Sequence, residues 1–381
     1  MATSNTQAAQ PNAKNGQQVT LGPFRGGTQP TVLATGNSNT VTLNTGTQDL
    51  PDYEIKPTNI LRCIYIEVTA TASGNSASVA FQPDAPLNIL STLNFKDSGG
   101  TAIVGAFDTY TLSMAMKYFG YLGNGDPRQN AVYSVTTGTG ATGGSFNVVF
   151  RIPVEVNSRT GIAALQNQNT TSPLVLSATV NKLANIYSTA PTAAPTVKVT
   201  YRLGGYWNGP SSAYSPTPKA FGTTQYISRA SNMGLNGSAD LQLPPTGLGN
   251  PWRNLMFLNY ATGGARAGAG TFPDPIEIKF RGNTLVQHSV NSWQFDMSEY
   301  WDLGGTIDTG TGLDTGVFVL PFDRDFGQAP GSELGLGYLD TAVGDAIEVI
   351  GSWSASSTLY EVVNFVALKD GATLQQIQGL A

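Results

Sequence analysis

Asp52-Tyr-Glu-Ile-Lys-Pro57 returns later in the chain as Asp240-Leu-Gln-Leu-Pro-Pro245, with the closing prolines 188 residues apart (245 − 57). Each copy leads through an asparagine into an apolar strand, Asn59-Ile-Leu-Arg-Cys-Ile-Tyr-Ile66 and Asn254-Leu-Met-Phe-Leu-Asn-Tyr260. A small-residue turn follows both, Ala72-Ser-Gly-Asn75 and Thr262-Gly-Gly-Ala265. Short apolar runs bounded by Pro, Asn and Gly read as strands closed by turns. Their recurrence in one order marks an internal repeat, which fixes the organisation of the chain before any single element is assigned.

Working outward, the correspondence continues. Leu93-Asn-Phe-Lys96 matches Ile278-Lys-Phe-Arg281, with Phe95 and Phe280 separated by 185 (280 − 95). Ala102-Ile-Val104 matches Thr284-Leu-Val286. Ser113-Met-Ala-Met-Lys-Tyr-Phe119 resembles Asp296-Met-Ser-Glu-Tyr-Trp301, with Phe119 and Trp301 separated by 182 (301 − 119). Val148-Val-Phe-Arg-Ile-Pro153 matches Val317-Phe-Val-Leu-Pro321, and the separation of Pro153 and Pro321 falls to 168 (321 − 153). The drop follows from a longer loop in the first copy, Tyr121 to Gly144. Landmarks in one order with an offset drifting one way are what duplication followed by loop trimming leaves behind.

Each copy ends in two late strands, Leu174–Val180 and Val197–Leu203 in the first, Ala346–Ile350 and Leu359–Phe365 in the second. About eight strands per copy, punctuated by turns every ~8–12 residues, is the pattern of a sandwich or jelly roll. The expected fold is therefore all-β: two tandem eight-stranded jelly rolls (a double jelly roll) with short helices in loops, at Ser113–Phe119, Thr160–Gln166 and Thr373–Leu380. The expected divisions are a flexible N-terminal arm (1–38), a first jelly roll (39–205), a Pro/Ser/Gly-rich linker (206–222), a second jelly roll (223–370) and a C-terminal tail (371–381).

Composition agrees. Of 381 residues 12% are charged, half the share of an average domain, and 40% are hydrophobic. With 16 Phe, 15 Tyr and 5 Trp, there is material for a core, which excludes a disordered chain. The 44 Gly and 22 Pro suit turns, and long runs of Ala, Leu, Glu and Lys are absent. One cysteine, Cys63, excludes an intramolecular disulfide framework and reads as a small buried hydrophobe. The N-terminus lacks the basic and apolar regions of a secretory signal, and no apolar run approaches the ~20 residues of a membrane helix. Synthesis and assembly are expected in a cytoplasm. The net charge of −5, with no basic stripe, argues against direct binding of nucleic acid.

Catalytic patterns are weak throughout. His288 is the sole histidine, so a catalytic triad has one possible base and a zinc site one imidazole at most. Asp308-Thr-Gly310 and Asp314-Thr-Gly316 carry the aspartic-protease triplet but lie six residues apart (314 − 308), too near to come from two lobes. Asp323-Arg-Asp325 and Asp274 read as solvated or interface carboxylates. Thr137–Gly144 lacks the Lys-Ser/Thr ending of a phosphate loop, and Gly335-Leu-Gly-Tyr338 lacks the dinucleotide fingerprint. Trp207, Trp252, Trp293, Trp301 and Trp353 are spread along the chain as packing residues. No catalytic residue, cofactor or metal site is expected; Pro57, Pro245, Phe95, Phe280, Phe119, Trp301, Pro153 and Pro321 are structural landmarks of the repeat.

One passage carries a family resemblance. Gly144-Ser-Phe-Asn-Val-Val-Phe-Arg-Ile-Pro-Val-Glu-Val-Asn-Ser-Arg-Thr-Gly-Ile-Ala-Ala-Leu-Gln-Asn-Gln-Asn169, followed by the apolar strand Leu174–Val180, resembles tectivirus-type major capsid proteins of tailless icosahedral phages. The opening Asp52–Val68 is similar too, and the likeness in organisation covers about residues 40–370. It implies a homotrimer with six similar walls, tiling a shell around an internal membrane and double-stranded DNA. Penton and minor capsid or membrane proteins are the implied partners, with the N-terminal arm near the membrane. Residues 1–20 hold Lys14 as their one basic residue, which departs from strong electrostatic membrane contact. The chain termini would help lock neighbouring trimers. The competing readings are a tandem jelly-roll amide-cleaving glycosidase using Asp274 or Asp323, and a glycan-binding fibre using Trp207 or Trp252.

Overall fold

The computed structural model describes residues 28–33, 37–57, 59–72, 75–122, 126–156, 163–167, 171–208, 224–261, 264–301, 312–322 and 338–367. The first half holds β1 (Thr28–Leu33), β2 (Ser38–Thr42), β3 (Gln48–Asp49), β4 (Tyr53–Ile55), β5 (Asn59–Thr71), β6 (Asn75–Phe81), β7 (Leu90–Lys96) and β8 (Ala102–Phe107). Helix α1 (Thr109–Tyr118) follows, then β9 (Ser134–Val135), β10 (Gly138–Gly140), β11 (Phe146–Pro153), β12 (Leu165–Asn167) and β13 (Leu174–Val180). A four-residue helix α2 (Leu183–Ile186), β14 (Tyr187–Thr189) and β15 (Thr196–Asn208) complete it. The second half is simpler: β16 (Thr224–Gln242), β17 (Trp252–Ala261), β18 (Ile276–Phe280), β19 (Asn283–His288), helix α3 (Val290–Trp301), β20 (Val317–Pro321) and β21 (Ile347–Ala367).

The strands form because one side of each must leave water. In β11, Phe146, Val148, Phe150 and Ile152 are buried and alternate with half-buried Asn147, Val149 and Arg151. In β13, Leu174, Leu176, Ala178 and Val180 do the same. This period of two is what a pleated strand with one inward face demands.

Both halves have the same two-sheet topology. In the first, β15 pairs with β1 and β2 on one side and β5 on the other, and β5 pairs with β11. The facing sheet runs β4–β13–β7–β8. In the second, β21 lies between β16 and β17, and β17 pairs with β20; the facing sheet uses the other ends of β16 and β21, with β18 and then β19. Long strands β16 and β21 thus each serve both sheets, where the first half uses separate strands. Strand β16 turns the corner through register shifts between Asn232 and Gly237, and Gly237 has φ +76. Bulges and a left-handed glycine bend a strand in this way. The fold is two tandem jelly rolls.

Pro57 and Pro245 are exposed in the turns before β5 and β17. Phe95 lies in β7 and Phe280 in β18; Phe119 closes α1 and Trp301 closes α3. Pro153 sits opposite Cys63 of β5, and Pro321 opposite Asn254 of β17.

Some expectations need correction. Residues 28–33, inside the expected flexible arm, form β1 on the edge of β15. The expected linker starts late, because β15 runs through Asn208; residues 209–223 lie outside the described residues. Of the helix expected over Thr160–Gln166, residues 160–162 lie outside the described residues, and Leu165–Asn167 is instead strand β12, paired with Asn59–Leu61, because its backbone completes the edge of β5. Ala163 just before it takes φ +66, which no helix accommodates. The helix expected at 113–119 begins earlier, at Thr109, where Asp108 caps it. The expected helix at Thr373–Leu380 lies outside the described residues. Among the described residues, no helix is long and apolar enough to cross a membrane.

Candidate functional site: the seam between the two jelly rolls

Polar chemistry in this chain gathers where the two halves meet. Helix α1 forms there because Asp108 accepts a hydrogen bond from Thr111 N at 2.7 Å, satisfying one of the orphan donors of the first turn. All ten of its residues are buried, Lys117 included. A helix buried all round needs partners for every polar side chain it carries, and the second half supplies those of Tyr110, Thr111, Lys117 and Tyr118.

Among the described residues, three ion pairs cross the seam. Asp84 meets Arg266 at 2.6 Å, Asp108 meets Arg229 at 2.6 Å and Lys117 meets Asp314 at 2.6 Å. Arg266 also donates to the carbonyls of Leu313 and Thr315, at 2.5 and 3.2 Å, and lies 4.8 Å from the centre of the Tyr110 ring. Tyr110 and Tyr118 donate across the seam to Leu313 O at 2.7 Å and to Asp314 at 2.8 Å. Tyr118 packs edge-on against Trp301 at 5.2 Å. A second cluster surrounds Arg253, which donates to Phe119 O at 2.5 Å and Asn364 at 3.0 Å. Tyr121 donates to Gln225 at 2.5 Å, and Gln225 donates to Pro153 O at 3.0 Å.

Burial raises the Asp84 carboxyl above its ordinary value, against the opposing pull of Arg266. Burial likewise pushes the Tyr110 and Tyr118 hydroxyls well above theirs, with the charge of Asp314 adding to the effect on Tyr118. These tyrosines are hydrogen-bond donors held neutral, not acids. Directional bonds of this kind fix one relative placement of the halves, where an apolar face alone would tolerate sliding. Strands join as well: β8 and β16 pair in parallel at Val104 and Ile227, making one continuous sheet across the seam. Gly105 of β8 lies directly against the backbone of Ile227–Arg229.

Asp108 has two jobs that substitution can separate. Asp108→Asn keeps the cap and loses the charge facing Arg229; Asp108→Ala loses both. Asp108→Ala is expected to be less stable than Asp108→Asn by about 1 kcal/mol, the worth of a cap, in urea unfolding. Equal stability of the two variants would mean that the cap contributes nothing.

The residues weighed for chemistry are dispersed. His288 ends β19, its Nε2 3.6 Å from Asp296 and its Nδ1 3.3 Å from Ser292 Oγ, partly exposed. Asp314 belongs to the seam, while Asp308 and Asp323–Asp325 lie outside the described residues. Asp274 accepts from Val290 N at 3.4 Å, at the start of α3. Thr137–Gly144 contains β10, which pairs with β6; residues 335–337 lie outside the described residues. Trp252, Trp293 and Trp353 are fully buried, so Trp252 offers no face to a sugar; the side chain of Trp207 lies outside the described residues. Cys63 is buried and unpaired. Among the described residues, no group of three metal-ligating side chains occurs.

Reading the sequence alone overlooked the seam. Its signal was present, as an isolated charge inside an apolar strand in a chain poor in charge: Arg253 beside Trp252.

No protein-family model matches the chain, and no curated protein matches it. Solved structures do. The atomic structure of Sulfolobus turreted icosahedral virus aligns with TM-score 0.63 and 14% identity, over 90% of this chain and 91% of that one. The major capsid protein of the same virus aligns with TM-score 0.61 and 14% identity, over 87% and 97%. The PBCV-1 virus capsid aligns with TM-score 0.55 and 9% identity, over 96% and 98%. The chain has the double jelly-roll capsid fold. Both jelly rolls take part, since the alignments span nearly the whole of each chain. In this double jelly roll the seam is what holds the two barrels in one arrangement.

Proposed function

We propose that the chain is the major capsid protein of a tailless icosahedral virus, standing as a pseudo-hexagonal homotrimer in a shell around an internal membrane and double-stranded DNA. The observation that carries this reading is the seam: two like sandwiches locked at one angle give a rigid tile with repeated walls. Closed by a three-fold axis, such a tile has six similar sides and packs as a hexagonal prism. A structural role accounts for polar residues spent on fixing barrels rather than converging on a cleft. Likeness to capsid structures of two viruses supports the same reading.

In this reading the paired landmarks, Pro57 with Pro245 and Phe95 with Phe280 among them, mark an ancestral duplication. The segment before β1 is an arm at the inner side of the shell. Penton and minor capsid or membrane proteins are the further partners, synthesis is in the host cytoplasm, and the genome is enclosed without direct contact.

The test is mass in solution. Light scattering of the full chain should give about 120 kDa, three times 40.0 kDa. A 40.0 kDa species at every protein and salt concentration would refute the reading.

A further inference from the structure

The seam uses one edge of each jelly roll, and the duplication leaves a matching pair of edges open. In the first half, β8 and α1 form the wall that the second half covers: α1 is wholly buried and β8 pairs with β16. In the second half, β19 and α3 hold the same places in the topology, after β18 as β8 and α1 follow β7. Yet among the described residues no strand pairs with the outer edge of this wall. Strand β19 ends its sheet, and Asn283, Thr284, Leu285 and Gln287 are exposed. On α3, Phe295 is 69% exposed. By the spacing of Phe119 and Trp301, its counterpart in α1 is Ser113, which is 4% exposed.

The element that covers β8 also has a counterpart. The N-terminal part of β16 runs antiparallel to the end of β21, as in Tyr226 opposite Phe365. In the first half, β1 runs antiparallel to the end of β15 in the same way, as in Val32 opposite Gly204. Among the described residues, strand β1 also ends its sheet. Each chain therefore carries one joined junction, β8 with β16, and the two halves of another, β19 with β1. Unpaired strand edges are templates for a further strand, and an exposed phenylalanine beside one marks a face to be covered.

We propose that the β19–α3 wall is the docking surface for β1 of a second copy of this chain, laid parallel to β19 as β16 lies parallel to β8. The proposal rests on the trimer reading above and names the surface that reading requires. The contact is head-to-tail, so copies joined by it close into a ring when the rotation permits.

The experiment compares the native full chain with Phe295→Asp and Leu285→Lys by light scattering across a dilution series. The expected result is a trimer for the native chain. Each variant should show at least a tenfold rise in the concentration at which half the chains are monomers, with an unchanged melting temperature for the monomer. In parallel, Thr31→Cys and Leu285→Cys are combined and treated with a short bis-maleimide. Species of two and three linked chains should appear on a denaturing gel for the double variant and not for either single variant. A native trimer that survives both surface substitutions, or that gives no links in the double variant, overturns this surface and leaves the trimer reading standing. A native monomer overturns both.

Discussion

Glu361→Gln should stabilise the chain above pH 7 and flatten the dependence of its stability on pH. Glu361 lies in β21 between Ala230 of β16 and Phe257 of β17, fully buried, and neither carboxylate oxygen has a hydrogen-bond partner. Phe257 in turn packs against Trp293 in the core of the second jelly roll. Burial alone pushes the carboxyl up to about 8 from its ordinary 4.5. Between those values the folded chain holds a proton that the unfolded chain has released. Stability fully present below pH 4.5 is therefore lost as pH rises toward 8. The slope is about 1.4 kcal/mol per pH unit, so the total approaches roughly 5 kcal/mol. Glutamine has the same shape and no proton to lose. Melting temperatures from pH 5 to 9 should fall in the native chain and stay nearly level in the variant. Two parallel curves would show that Glu361 does not titrate with folding. The corresponding position in the first jelly roll is Tyr201, which faces Ile66 as Glu361 faces Phe257 and stacks on Tyr53 at 5.3 Å.

Arg266→Ala should cost about 3–5 kcal/mol, the usual cost of removing one member of a buried ion pair. The guanidinium is 5% exposed and serves Asp84, the carbonyls of Leu313 and Thr315 and the Tyr110 ring together. Its loss strands a carboxyl that burial already holds above its ordinary value. Adding Asp84→Asn to Arg266→Ala should recover part of the loss, because no buried charge is then left unpaired. A urea-unfolding double-mutant cycle reads both effects. Additive losses would mean that the two residues do not interact, and the seam would then be held by its apolar contacts and the Arg253 cluster.

The strands were legible because a strand with one buried side writes its period into the sequence. Phe146 to Ile152 and Leu174 to Val180 alternate without interruption, and the repeat was visible because Pro, Phe and Gly mark strand ends wherever they occur. Helix α1 was legible only in part. Its apolar stretch was seen, but its start depends on the Asp108 cap, whose second partner, Arg229, lies 121 residues away. Strands β1 and β12 were missed for a related reason. Their residues carry little pattern of their own, and they are strands only because β15 and β5 present open edges to them.

By itself, the sequence determined the class and the alternating strands such as β11 and β13, since those follow from local alternation and turn chemistry. Tertiary structure alone decided which charges meet and which walls of the two jelly rolls face each other. Asp84 and Arg266 are 182 residues apart in the chain and share a hydrogen bond of 2.7 Å in the fold. No local pattern encodes such a pair, because its energy exists only once two separately formed sandwiches have excluded the water between them.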